Sequence, residues 1–200
     1  KAPLILLRAF QQALKEIPDL TLDIIGEGPL RGEMEAYLAE NNLSQVVRMW
    51  GSQPYSFVQE AMQKSCIYVQ HSIVDPTNGD AEGLPNSLLE ASACSLPVVS
   101  TFHEGIPEAV DHEITGFLVA EGDAEMMAQY LVMLARQPDL RKQMGQRGRR
   151  KMQAQFSIDE QMANLRQVLG MASPAEMDLD LSAEMDPTPL EREPKIPELA

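Results

Sequence analysis

Two periods alternate along the chain. Leu4, Leu7, Ala9, Phe10 and Leu14 recur at helical spacing across residues 3–16, and Pro18-Asp19 close that segment. A short apolar run over 20–25 follows and stops at Gly26-Glu27-Gly28-Pro29. The exchange then repeats. The pattern predicts helices over 30–40, 55–65 and 86–94, and strands over 46–50, 66–69, 97–101 and 117–119. Loops are expected over 71–85 and 102–116, the second with one helical turn near Pro107. Helices over 123–137, 139–153 and 158–170 complete the series. No two strands are joined by a two-residue turn, and helices of ~10–15 residues separate them. That is the signature of β-α units: an α/β fold with a Rossmann-like parallel sheet of about five strands and helices on both faces. In such sheets ligands sit beyond the carboxyl ends of the strands. Here those ends are residues 26–29, 51–54, 71–85 and 102–107.

Charge narrows the function classes. The 200 residues include 16 basic and 30 acidic side chains, a net charge of −14. So acidic a chain is a poor general binder of nucleic acid, because phosphate contacts need an excess of Lys and Arg. No apolar run approaches the ~20 residues of a membrane-spanning helix. Two cysteines, Cys66 and Cys94, cannot build a disulfide framework, and both are expected as small core residues in a reducing compartment. The expected location is therefore cytoplasmic. Residues 1–170 read as one domain. Residues 171–200 hold eight acids, two bases, five prolines and no aromatic residue, and are expected to be disordered. The chain opens on Lys1 rather than Met, which suggests that it starts inside a larger protein.

The chemistry concentrates in Glu82-Gly83-Leu84-Pro85-Asn86-Ser87-Leu88-Leu89-Glu90. Asn86 or Ser87 opens a helix, whose free N–H groups and dipole suit a phosphate. Glu90 lies one turn inside, placed to accept ribose hydroxyls, and Glu82 in the loop above could accept sugar hydroxyls. Together they describe a nucleotide-sugar site. On spacing alone, a capped surface helix with two solvated glutamates accounts for the run as well.

Further residues carry a resemblance. Glu82 to Glu90, followed by the small-residue helix 91–95 and Pro97-Val98-Val99, is similar to the signature of family 4 glycosyltransferases. Gly105-Ile106-Pro107-Glu108, Gly26-Glu27-Gly28-Pro29 and Thr115-Gly116-Phe117-Leu118-Val119 match further motifs of that family in order and spacing. The variants His103-Glu104-Gly105 and Asp80-Ala81-Glu82-Gly83 resemble the exopolysaccharide and colanic-acid type. The resemblance implies the C-terminal, donor-binding half of a GT-B fold. It implies a retaining, metal-independent transfer with no cofactor, in polysaccharide biosynthesis. The donor would be a nucleoside diphosphate sugar and the acceptor a glycan or lipid-linked saccharide.

Roles follow from the same resemblance. Glu82 would contact the donor sugar, beside Gly83 and Leu84, and Lys1 would neutralise the departing diphosphate. The Asn86 and Ser87 amides would bind the diphosphate, Glu90 the ribose, and Gly26 and Gly28 would let backbone approach the nucleotide. Arg48 and Met49 fall where the family's backbone reads the base. The family's Gly-Arg pair upstream of the lysine is absent, and with it the first, central strand. Five strands are therefore expected, with either a gap or a direct pairing between the strands at 20–25 and 66–70, and with marginal stability or oligomerisation as the result. The fragment alone is expected to be inactive.

Other readings remain in view. One is a non-catalytic nucleotide-sugar-binding module that needs a partner chain, and a weaker one is an epimerase. His71, His103 and His112 have no metal-ligand spacing; His71 and His103 read as loop residues or as polar contacts to the donor. Arg141, Lys142, Arg147, Arg149, Arg150 and Lys151 form either a solvated face or a peripheral contact at the cytoplasmic face of a membrane. Met126, Met127, Met133 and Met144 fit helical packing.

Overall fold

The computed structural model describes residues 1–169. The elements run α1 (Pro3–Glu16), β1 (Leu22–Ile25), α2 (Arg31–Glu40), β2 (Val47–Gly51), α3 (Tyr55–Lys64), β3 (Tyr68–Val69) and α4 (Asn86–Ala93). Then come β4 (Val98–Thr101), α5 (Ile106–Ala109), β5 (Gly116–Val119), α6 (Ala124–Arg136) and α7 (Pro138–Gln155). These lie in a compact unit, Lys1–Ser157. A last helix, α8 (Ile158–Val168), belongs to a second unit and carries Met162, Leu165 and Val168 at helical spacing. The acidic segment 171–200 lies outside the described residues. Among the described residues no helix is long and apolar enough to cross a membrane.

Local chemistry explains the boundaries. Pro3 starts α1, where its missing N–H costs no helical hydrogen bond. Asp123 caps α6 by accepting the Met126 N–H at 2.9 Å. The buried stripe of α6 is Met127, Ala128, Leu131, Val132 and Leu134. Met126 and Met133 fall off that stripe and are exposed, so they do not share the packing expected of them, whereas Met127 and Met144 do. Cys66 also differs from expectation. Cys66 is exposed and Cys94 half-buried. Cys66 lies in the turn between α3 and β3, outside the core, whereas Cys94, at the C-terminus of α4, packs against the buried cluster of Met62, Ala91 and Leu96.

All strand pairings are parallel, as expected, but they form two sheets rather than one. β1 pairs with β2, and β3, β4 and β5 pair in that order. No hydrogen-bond ladder joins β1 to β3. Helix α1 spans the two instead. It sends Leu7 and Phe10 into a cluster with Met34, Leu38, Leu43 and Val47 beside β1–β2. From the same helix Ala9 and Ala13 pack with Val99, Phe117, Val119 and Met127 beside the other sheet. The opposite face of the three-stranded sheet is covered by Leu88 of α4, Ile106 and Ala109 of α5, and Met152 of α7 around Val98 and Leu118. Every residue of β4 and β5 is buried.

Candidate functional site

The site forms at the carboxyl ends of β3 and β4 and the N-terminus of α4. Two residues past β3's first, Gln70 donates from Nε2 to Ser72 Oγ at 3.0 Å and to Glu82 Oε2 at 3.1 Å. Its Oε1 accepts the Tyr68 hydroxyl at 2.7 Å. That hydroxyl also meets Ser87 Oγ at 2.8 Å. The strand thus holds the start of α4 and the Glu82 loop together through one glutamine and one tyrosine. Lys1 Nζ lies 3.4 Å from Glu82 Oε1, with both side chains partly exposed. So exposed a pair contributes little to stability, which leaves Lys1 free to exchange partners.

Burial, with the charges of Glu82 and Glu90 adding to it, pushes the Tyr68 hydroxyl up to about 12. Both glutamates therefore lie within electrostatic reach of one phenol. The main-chain hydrogen bonds of α4 begin with Leu88 N–H to Pro85 at 3.1 Å. The amides of Asn86 and Ser87 precede that bond, at the positive end of the helix, where N–H groups have no intrahelical acceptor. The neighbouring loop is stitched on by Gly105 N–H to Gly83 C=O at 3.0 Å. A Cβ at Gly105 would lie 3.2 Å from Leu84 Cβ, so a side chain there would push the two loops apart.

Residues 1–151 match the family model of glycosyl transferases group 1. The chain belongs to this family. Its relatives include the amylovoran biosynthesis glycosyltransferase AmsK of Erwinia amylovora, 37% identical over 112 residues, or 56% of this chain and 27% of the relative. The putative colanic acid biosynthesis glycosyltransferase WcaL of Escherichia coli is 34% identical over 150 residues, or 73% of this chain and 37% of the relative. Among solved structures, HepE of Anabaena in complex with UDP superimposes with a TM-score of 0.72 at 18% identity, over 83% of this chain and 44% of that one. That likeness shows the fold, which is the GT-B glycosyltransferase type. The chain spans less than half the length of each of these relatives.

Within this glycosyltransferase domain the expected residues fall into two groups. Lys1, Glu82, Gly83, Leu84, Asn86, Ser87 and Glu90 gather at the α4 end. Gly26, Gly28, Arg48 and Met49 belong to the β1–β2 sheet. There Gly26 N–H donates to Gly51 C=O at 2.8 Å with Gly26 at φ +127°, and the space around Gly26 and Gly28 is open. Arg48 forms a two-pronged pair with Asp23, at 2.8 and 3.0 Å, and stacks over Trp50. Met49 faces the core on the other side of the strand.

Sequence reasoning missed two supports, Tyr68 and Gln70. They hold the site with Ser72 and Thr101, the last in the structural role its strand-end position suggests, accepting the Ser72 N–H at 3.2 Å. The signal was available as polar side chains at the end of buried strands. His71 and His103 are also more than loop residues: both are buried. Burial lowers the His71 imidazole to about 4, and its Nε2 accepts the Gly122 N–H at 2.8 Å. His103 Nδ1 meets Glu121 Oε1 at 2.6 Å, which holds Glu121 below the usual carboxylate range. Two members of the basic cluster are structural. Arg141 donates to the Leu134 and Ala135 carbonyls, and Lys151 pairs with Asp111 at 2.7 Å. Lys142, Arg147, Arg149 and Arg150 remain exposed.

Proposed function

We propose that this chain is the donor-binding part of a retaining, metal-independent family 4 glycosyltransferase. It would move a hexose from a nucleoside diphosphate sugar to a glycan or lipid-linked acceptor in exopolysaccharide biosynthesis, at the cytoplasmic face of the membrane. The observation that supports this reading most directly is the convergence of Lys1, Glu82, Glu90 and the start of α4 around Tyr68. The α4 amides and Lys1 offer positive charge where a leaving diphosphate gains negative charge, a preorganised stabilisation of the transition state. No further cofactor is needed for that chemistry. Glu90 accepts the ribose hydroxyls, Glu82 accepts those of the sugar, and Lys1 exchanges Glu82 for the diphosphate when donor enters. Arg48, Met49, Gly26 and Gly28 would flank the base.

The names of relatives support the substrate class. One relative of Corynebacterium glutamicum, 30% identical over 165 residues, is a GDP-mannose-dependent mannosyltransferase. Calorimetry with UDP, GDP, UDP-glucose and GDP-mannose tests the reading. At least one sugar nucleotide should bind, with EDTA leaving its affinity unchanged. Glu90→Ala should remove a charge-assisted hydrogen bond of about 1.5–3 kcal/mol, or roughly tenfold to a hundredfold in affinity. Unchanged nucleotide affinity in that variant would sink the ribose assignment. Retention is read separately, from the anomeric configuration of the product.

A further inference from the structure

The turn after β5 is held in an unusual way. Two consecutive residues, Glu121 and Gly122, are each gripped by a buried histidine from a different strand end. His103, past β4, meets Glu121 through Nδ1 at 2.6 Å. His71, past β3, accepts the Gly122 N–H through Nε2 at 2.8 Å. Both rings are nearly inaccessible, and each keeps one buried nitrogen without a partner, Nδ1 of His71 and Nε2 of His103. Two buried rings from two strand ends thus fix one turn.

What the turn presents is the second carboxylate oxygen of Glu121. It accepts the Val74 N–H at 3.1 Å. Val74 opens the 73–81 loop, which leaves β3 and returns at Glu82. The other hydrogen bonds of this loop are internal. Asp75 N–H donates to the Asp80 carbonyl and Gly79 N–H to the Asp75 carbonyl, both at 2.8 Å, and Asp75 Oδ1 accepts the Thr77 N–H. The loop is thus a pre-closed unit attached at both limbs. Glu121 holds its outgoing limb, and Gln70 and Lys1 hold Glu82 at its return.

We propose that Glu121, held by His103, is a positioning residue that sets the 73–81 loop and through it the approach of Glu82 to the donor sugar. This inference rests on the donor-binding reading above. It assigns Glu121 to the sugar half of the donor and not to the nucleotide half, which lies at α4.

The test combines amide hydrogen exchange with calorimetry on the full chain, using UDP, GDP, UDP-glucose and GDP-mannose as probes. In Glu121→Ala, exchange at 73–81 should speed up while β4 and β5 stay protected. Affinity for the preferred sugar nucleotide should fall by about fivefold to tenfold, the loss of one hydrogen-bonded support, with affinity for the matching diphosphate unchanged. Glu121→Gln keeps an acceptor for Val74, and its amide can donate to His103 Nδ1 in the other tautomer. It should stay within about twofold of the parent. If Glu121→Ala does not fold, Glu121→Asp gives the same readout, because its shorter arm cannot span both partners. Unchanged exchange at 73–81, or faster exchange with unchanged sugar-nucleotide affinity, overturns the proposal. An equal loss for nucleotide and sugar nucleotide also overturns it. If the parent chain binds none of the four probes, the donor-binding reading itself fails, and the exchange data separate that outcome from a failure of Glu121 alone.

Discussion

The two sheets of this domain are built on opposite terms. In β4 and β5 all eight residues are buried, with helices on both faces. In β1–β2 one face packs against α1 and α2, and the other carries Asp23, Arg48 and Trp50 into solvent. A sheet covered on both sides holds its strand ends rigidly. That is where the polar supports Gln70, Ser72 and Thr101 are found, and where Lys1, Glu82 and Glu90 converge. A two-stranded sheet is marginal by itself. This one relies on α1 for its core and on exposed charge pairs for its outer face. The polar network at the start of α4 thus stands on the better-covered sheet.

The largest expected effect comes from breaking the link between the sheets. Phe10 is buried on the β1–β2 side of α1. Phe10→Ala should cost about 3–5 kcal/mol. In hydrogen exchange, the amides of β1 and β2 should lose protection before those of β4 and β5. A uniform loss across all five strands would show that the two sheets are one cooperative unit, and the contrast would not hold.

The next effect is a pH dependence confined to the enclosed sheet. Unfolded His71 takes up a proton near pH 6.5, but the folded ring does so only near 4. Between these values the unfolded state binds more protons. The contribution of neutral His71 is therefore complete above about pH 6.5 and is lost as pH falls towards 4. The shift corresponds to on the order of 3 kcal/mol. His71→Gln, whose Oε1 can accept the Gly122 N–H, should flatten that part of the stability curve. Denaturant melts from pH 7 to 4 would show it, and an unaltered slope would mean that another group carries the titration.

The smallest effect belongs to the open face. Arg48→Ala removes an exposed pair with Asp23 and should cost no more than about 1 kcal/mol. Denaturation midpoints measured for this variant and for Asp23→Ala would check it. A cost several times larger would mean that the outer face of β1–β2 is as tightly organised as the enclosed sheet.

Much of this organisation was legible in the residues. The alternation of periods gave all the strands and helices of the compact unit to within about two residues, because Gly, Pro and Asp mark the ends so often here. The glutamate pair and the Gly-Leu-Pro turn pointed to the α4 end. The gap between β1 and β3 was one of two outcomes the resemblance allowed, since local pattern cannot say whether two edges close. Cys66 misled because apolar neighbours in sequence do not show which residue falls at a rim. The roles of His71, His103 and Glu121 were hidden for a different reason. Their partners lie between 18 and 51 residues away, and only folding brings three strand ends together.

Gly145 has a consequence for how the domain can respond to ligands. A Cβ there would stand 1.9 Å from the Ser95 carbonyl oxygen, so α7 rests directly on the main chain that follows α4. Main chain seated on main chain has no side-chain cushion to deform. A slide or tilt of α4 against α7 meets hard atoms at once, and the amides at the α4 start inherit that stiffness. Adaptation at this end of the domain therefore has to come from parts held by side-chain hydrogen bonds, such as the loop that carries Glu82. In mechanical terms the start of α4 is the fixed jaw of a vice, and the Glu82 loop is the jaw on a spring.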